Sequence, residues 1–188
     1  EVPGARVDGV SASTAMTHPK FREAFHGQLL AHGELLPVSQ LAFVFVELRE
    51  KNALFEKLDD VAAWNALSQL DETVREIGQA HEGTLVPSSL DLLVVAFPSP
   101  LQALQACLEM RRRLDAAAVV GAHDGRCIAL TRDGKAEFFG ETLHRGQSLL
   151  AECEAGQLAL SASFAADRLV AVALHEAKDA KVTVETSL

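Results

Sequence analysis

Apolar residues recur along this chain with two periods, close to two and close to 3.6. The stretch QLAFVFVEL, residues 40 to 48, partly alternates and is rich in Val and Phe, which predicts a buried strand with Glu47 at its end. Before it, from Pro19, Phe21, Phe25 and Leu29 recur every four residues and predict a short amphipathic helix stopping near Gly33. After it, Asp59 or Asp60 caps a predicted helix that sets Trp64, Leu67, Leu70, Val74 and Ile77 on one face and closes at Gly83. Two short strands follow, 84 to 88 and 90 to 97. A helix then runs from Pro100 to about Ala116, with Leu101, Leu104, Leu108 and Leu114 facing inward. AAVVGAHDG and RCIALTRDG read as a further pair of strands. Past AEFFG, a helix spans about Glu141 to Glu154, and GQLALSASF is a strand leading into a helical turn. Residues 170 to 174 and 181 to 186 alternate as a terminal hairpin would.

The order is strand, helix, strand, strand, helix, strand, with additions at the C-terminus. A long helix after the first strand and a hairpin in the middle predict an α+β fold, a ferredoxin-like sandwich with helices on one face of a mostly antiparallel sheet. The expected organisation is a linker over 1–17, an amphipathic helix and connector over 18–38, and one globular domain over 39–188.

Composition narrows the function classes. A chain of 188 residues with 48% apolar content suits one domain with a full core. A net charge of −9 repels a phosphate backbone, and the only basic run, Arg111 to Arg113, reads as a solvated helix face, so no nucleic-acid partner is expected. Cys107, Cys127 and Cys153 are odd in number and lack Cys-x-x-Cys spacing, which fits a reduced, cytoplasmic compartment. The apolar stretches are too short to span a bilayer, no signal-peptide pattern opens the chain, and no direct membrane contact is expected of it. Because it begins with Glu1, it reads as a piece of a longer protein.

Two carboxylates carry the candidate chemistry. Asp91 stands at the mouth of the apolar run LLVVAF and Glu47 at the end of the first strand. In the predicted topology these strand ends lie side by side, where two carboxylates can hold Mg²⁺ ions that prefer oxygen ligands and substrate phosphates. From two acidic residues alone, the plainer reading of each is a polar strand end meeting water. The histidines show no His-x-x-x-His spacing with a nearby acid, which argues against zinc.

FVFVEL, DLLVVAF, VVGAHDG and FFGETLHRGQSLL, in that order, resemble the signatures of class III nucleotidyl cyclases, the adenylate and guanylate cyclases built on a ferredoxin-like core. The resemblance covers about residues 40 to 186. It implies that Glu47 stands where the family has a metal-binding aspartate, and that Asp91 stands at the second metal aspartate, preceded by Leu90 where the family has glycine. It implies that a base-recognising lysine is replaced by Pro87, that its acidic partner is retained as Glu137, that a ribose-orienting asparagine is replaced by His144, and that a transition-state arginine is replaced by Ser148. The family's phosphate-cradling turn is replaced by Leu48, Arg49, Glu50, Lys51 and Asn52. Arg49 or Lys51 is a substitute phosphate contact or simply part of a charged surface loop. Arg145 is a possible replacement for the lost arginine, although helical geometry turns it about 100° from the inward face. His123 falls where the family has a structural, hydrogen-bonding histidine, and Lys178 or Lys181 falls near a phosphate-binding lysine.

Removing one preorganised transition-state donor costs about 10² to 10³ in rate, and two losses act on the same charge. The resemblance therefore implies a degenerate, non-catalytic domain that regulates, dimerises or binds proteins in signalling. The alternatives are a divergent adenylate or guanylate cyclase and the metal-bearing half of a heterodimeric cyclase. No cofactor is expected, or Mg or Mn if a residual metal site survives. The expected partners are a second copy, another cyclase-like domain, or other domains of a longer protein.

Overall fold

The computed structural model describes residue 15 and residues 34–49, 56–88, 92–114, 118–132, 135–151, 153–154, 156–177 and 182–185. The segment expected to form the N-terminal amphipathic helix, and Asp91, Lys51, Lys178 and Lys181, lie outside the described residues.

Strand β1 (Leu35–Leu48) leads to helix α1 (Asp60–Ala80), β2 (Thr84–Val86), β3 (Leu92–Phe97), helix α2 (Pro100–Arg113), β4 (Ala118–Arg132) and β5 (Lys135–Phe139). Helix α3 (Glu141–Ala151), β6 (Leu158–Ser161), a single helical turn α4 (Ala162–Ala165), helix α5 (Arg168–Glu176) and β7 (Val182–Glu185) complete it. The strands form one sheet in the order β2-β3-β1-β4-β6-β7, with β5 also on β4. The first four strands are antiparallel neighbours and give the ferredoxin-like core. β6 and β7 extend the sheet in parallel. The far edge of β4 is shared: Val120 to Ala122 pair with β6, and Ile128 to Arg132 pair with β5.

Alternation along β1 divides the core between the two faces of the sheet. Ala42, Val44 and Val46 point to the face covered by α1, α2 and α5, where Val74, Ile77, Leu104, Met110 and Val170 are fully buried. Phe43 and Phe45 point the other way, to a second cluster that includes Phe138 and Leu150 of α3. Helices therefore pack on both faces rather than one. The amphipathic stripe of α3 (Thr142, Gly146, Leu149, Leu150) has its own apolar surface to cover.

Four expected elements differ. β1 begins at Leu35, five residues early, and carries a register shift between Val38 and Leu41 that keeps both residues on the buried face. The expected pair of strands across 117 to 134 is one 15-residue strand, β4, whose hairpin partner is β5. Gly121 and Gly125 inside it are not turn residues; α3 lies so close that an added Cβ would fall 2.7 Å from Leu150 and 2.6 Å from Thr142. Residues 170 to 174 belong to helix α5, not a strand, because the Asp167 side chain caps it by accepting from the Leu169 and Val170 N–H groups. Trp64 is 59% exposed, and Ala63 takes the inward position of that turn. The cap of α1 is Asp59, whose carboxylate accepts from Ala62 N–H at 2.8 Å.

Candidate functional site

The resemblance-derived positions fall at two ends of the sheet. At one end, Glu47 is the penultimate residue of β1, paired with Leu92 of β3 and Val119 of β4. The β1–β3 register stops there, one residue short of Asp91, so the convergence of Glu47 with Asp91 rests on a residue outside the description. Pro87 follows β2 at this same end and is exposed, two strands from β1. At the other end, Glu137 of β5 pairs with Leu130, which pairs with Leu35 at the start of β1. From Leu35 to Glu47 is 12 positions along β1 (47 − 35), roughly 40 Å of strand at about 3.3 Å per residue. Glu137 and Glu47 of one chain do not meet, and Glu137 lies 3.4 Å from the guanidinium of Arg132 across its own hairpin.

Helix α3 bridges the two ends. It starts beside β5, where Thr142 Oγ1 donates to the Arg126 carbonyl at 2.5 Å, crosses β1 at Gly146 and Phe45, and ends near Glu47. His144 and Ser148 are exposed on its outer surface, one turn apart. The Ser148 hydroxyl donates back to the His144 carbonyl at 3.0 Å, and its oxygen lies 3.4 Å from His144 Nδ1. Arg145 is also exposed and ion-paired with Glu141 at 2.7 Å.

Arg49, a possible phosphate contact by sequence, makes other contacts in the fold. Its Nη2 donates to the carbonyls of Leu150 and, at 3.0 Å, of Cys153, while Nη1 lies 3.7 Å from Glu47 Oε2. The Leu150 carbonyl also accepts from Cys153 N–H at 3.1 Å, so the guanidinium adds a charge-assisted contact there and faces the negative end of the α3 dipole. Both side chains of the ion pair are about a quarter exposed, 28% for Arg49 and 26% for Glu47. Sequence reasoning missed this role, and its one trace was the Glu-x-Arg spacing that puts both side chains on one side of the strand end.

His123 sits inside, 8% exposed, with Nδ1 2.8 Å from Ser161 Oγ. Ser161 in turn accepts from Phe164 N–H and caps the turn after β6, so the histidine ties β4 to β6. Burial pushes the ring's pKa below the ordinary imidazole value; Asp124 and Glu141 oppose the shift and Arg145 adds to it. The unfolded ring gains its proton near pH 6.5 while the folded ring stays neutral, so stability falls as pH drops below about 6.5 and is unaffected above it. His123→Gln is expected to flatten the acid side of a stability–pH curve between about pH 6.5 and 5. An unchanged acid limb would show that His123 is solvated.

Among the described residues, no group of three or more His, Cys, Asp or Glu side chains is placed to hold a metal ion. The one described candidate ligand, Glu47, has the Arg49 guanidinium 3.7 Å away. Cys107 and Cys127 are buried and in no disulfide; burial pushes the Cys127 thiol up to about 11 and Cys107 higher still, which leaves neither a ready nucleophile. No described helix is long and apolar enough to cross a membrane.

No protein-family model and no curated protein matches the sequence. Solved structures do. The adenylyl cyclase CyaB from P. aeruginosa is 18% identical with a TM-score of 0.61, over 74% of this chain and 83% of that one. The catalytic core of a rhodopsin-guanylyl cyclase with converted specificity, solved with ATPαS, is 14% identical with a TM-score of 0.63, over 71% and 83%. A non-canonical dimeric guanylyl cyclase domain from the aquatic fungus Blastocladiella emersonii is 12% identical with a TM-score of 0.63, over 70% and 84%. With its antiparallel four-strand core, parallel extension and helices on both faces, the chain has the fold of adenylyl and guanylyl cyclase domains, as its resemblance to class III cyclases implied.

Proposed function

We propose that this chain is a non-catalytic nucleotidyl cyclase-like domain that acts by pairing, as a regulatory, dimerisation or protein-interaction module in signalling. The observation that carries this reading is on the outer face of α3. There His144 and Ser148 are hydrogen-bonded to each other, at the positions where the resemblance calls for a ribose-orienting amide and a guanidinium. Serine cannot hold a fixed positive charge against a developing phosphoryl charge. Pro87 offers no donor to a base, and Glu137 is engaged with Arg132. The partner is a second copy, another cyclase-like domain, or a further domain of a longer protein, in the cytoplasm.

One observation favours a second reading, the metal-bearing half of a heterodimeric cyclase: Glu47 and Glu137 lie at opposite ends of the sheet, so a nucleotide site using both needs two chains. A self-sufficient divergent cyclase making cyclic nucleotide and diphosphate is the remaining alternative, with Mg or Mn at Glu47 and Asp91.

Thermal unfolding with nucleotide tests whether a binding site survives. A ligand at 100 times its Kd stabilises by about 2.7 kcal/mol, which is roughly 5–11 °C for a chain of this size. ATP or GTP at about 1 mM with Mn²⁺ is expected to move the midpoint by less than about 1 °C. A nucleotide-dependent rise of about 5 °C or more contradicts the loss of nucleotide binding.

A further inference from the structure

We propose that Arg49 is the resident cation of the Glu47 site: its guanidinium takes the place a divalent ion would fill and fastens the end of β1 to the end of α3. The inference deepens the non-catalytic reading, and it stands on geometry around one side chain. Glu47 and Arg49 leave β1 on the same side of the strand, and the guanidinium is held by three acceptors from two elements. These are the Glu47 carboxylate at 3.7 Å, the Cys153 carbonyl at 3.0 Å and the Leu150 carbonyl. A carboxylate set against the carbonyl end of a helix is a negative corner that needs a positive charge. Arginine supplies one that does not titrate at physiological pH, and its planar fork spreads over several acceptors at once. Among the described residues its Nε is buried without an acceptor, and these three contacts are all made by the terminal nitrogens.

Metal binding would cost this arrangement. An ion at about 2.1 Å from the Glu47 carboxylate would sit a few ångströms from a fixed guanidinium. To relieve the repulsion, Arg49 would have to give up its bonds to the Leu150 and Cys153 carbonyls.

The test uses the wild-type chain, Glu47→Gln, Arg49→Met and Arg49→Lys. Mn²⁺ binding is followed by the electron paramagnetic resonance signal of the free ion, and stability by thermal unfolding in EDTA. Wild type and Glu47→Gln are expected to bind Mn²⁺ equally weakly. Arg49→Met is expected to melt roughly 2–6 °C lower, the size of a partly exposed ion pair plus two helix-end hydrogen bonds. Arg49→Lys, which keeps the charge but not the fork, should fall between. Combining Glu47→Gln with Arg49→Lys should cost less than the two separate losses added together. Sub-millimolar Mn²⁺ binding by wild type that disappears in Glu47→Gln overturns the proposal, as does an Arg49→Lys chain as stable as wild type. Glu47-dependent Mn²⁺ binding without any cyclic product would overturn this proposal and leave the non-catalytic reading standing.

Discussion

A Gly146→Leu chain is expected to unfold about 6–12 °C below wild type, a loss of about 3 kcal/mol. Helix propensity alone argues for the opposite sign, because glycine inside a helix costs about 1 kcal/mol relative to alanine and leucine is a good helix former. Packing decides the matter. Gly146 is the point where α3 crosses β1, and a Cβ added there would lie 2.0 Å from the ring of Phe45. Phe45 is 1% exposed and wedged between α3 and the sheet, so its ring has nowhere to swing. Phe45→Ala alone is expected to cost about 3–5 kcal/mol through the cavity it leaves. In the double variant the leucine fills part of that cavity, so the two losses should not add. Chemical denaturation followed by far-UV circular dichroism measures all three. A Gly146→Leu chain no less stable than wild type would mean that α3 does not sit against β1 as described.

How much of this was legible in the sequence depends on the range over which the deciding contact acts. FVFV in β1 and LLVVAF in β3 are apolar on both faces, and central strands covered on both sides have to be; their pairing, Val44 with Val95 and Phe45 with Val94, follows from position alone. The unity of β4 was hidden because Gly121 and Gly125 look like punctuation. Only the approach of Leu150 and Thr142, from an element some twenty residues downstream, shows why the strand carries no side chain there. The segment RLVAVALHE satisfies both periods, since its central run LVAVAL is wholly apolar, and the capping bonds of Asp167 resolve it. Trp64 was misplaced for a related reason. Its turn is anchored by the smaller Ala63, and size is a poor guide to which residue faces a crowded helix seam.

The site was legible where it depends on strand ends and obscure where it depends on backbone acceptors. An acid closing an apolar strand is visible in a sequence, and Glu47 closes β1 as expected. The pairing of His144 with Ser148 follows from i, i+4 spacing on one helix. The task of Arg49 left almost no trace, because its acceptors are main-chain carbonyls about a hundred positions away and any residue types would provide them. The buried role of His123 was reached through the resemblance, and its partner Ser161 becomes evident only once β6 lies beside β4.

The largest expected effect of all is on rate. An active site that keeps its metal carboxylates but lacks both the amide and the guanidinium forfeits about 10² to 10³ for the first donor removed and a further, non-additive share for the second. On α3 the replacements do not recover it: Ser148 spends its hydroxyl on the His144 carbonyl, and the neighbouring Arg145 is held by Glu141. Arg49, beside Glu47, turns its guanidinium to the carbonyls at the end of α3. The direct measurement is cyclic nucleotide formed by the purified chain incubated alone with ATP or GTP and Mn²⁺. Product no higher than in a protein-free control is the expected result; cyclic AMP or cyclic GMP that accumulates with time and vanishes in Asp91→Ala would contradict it.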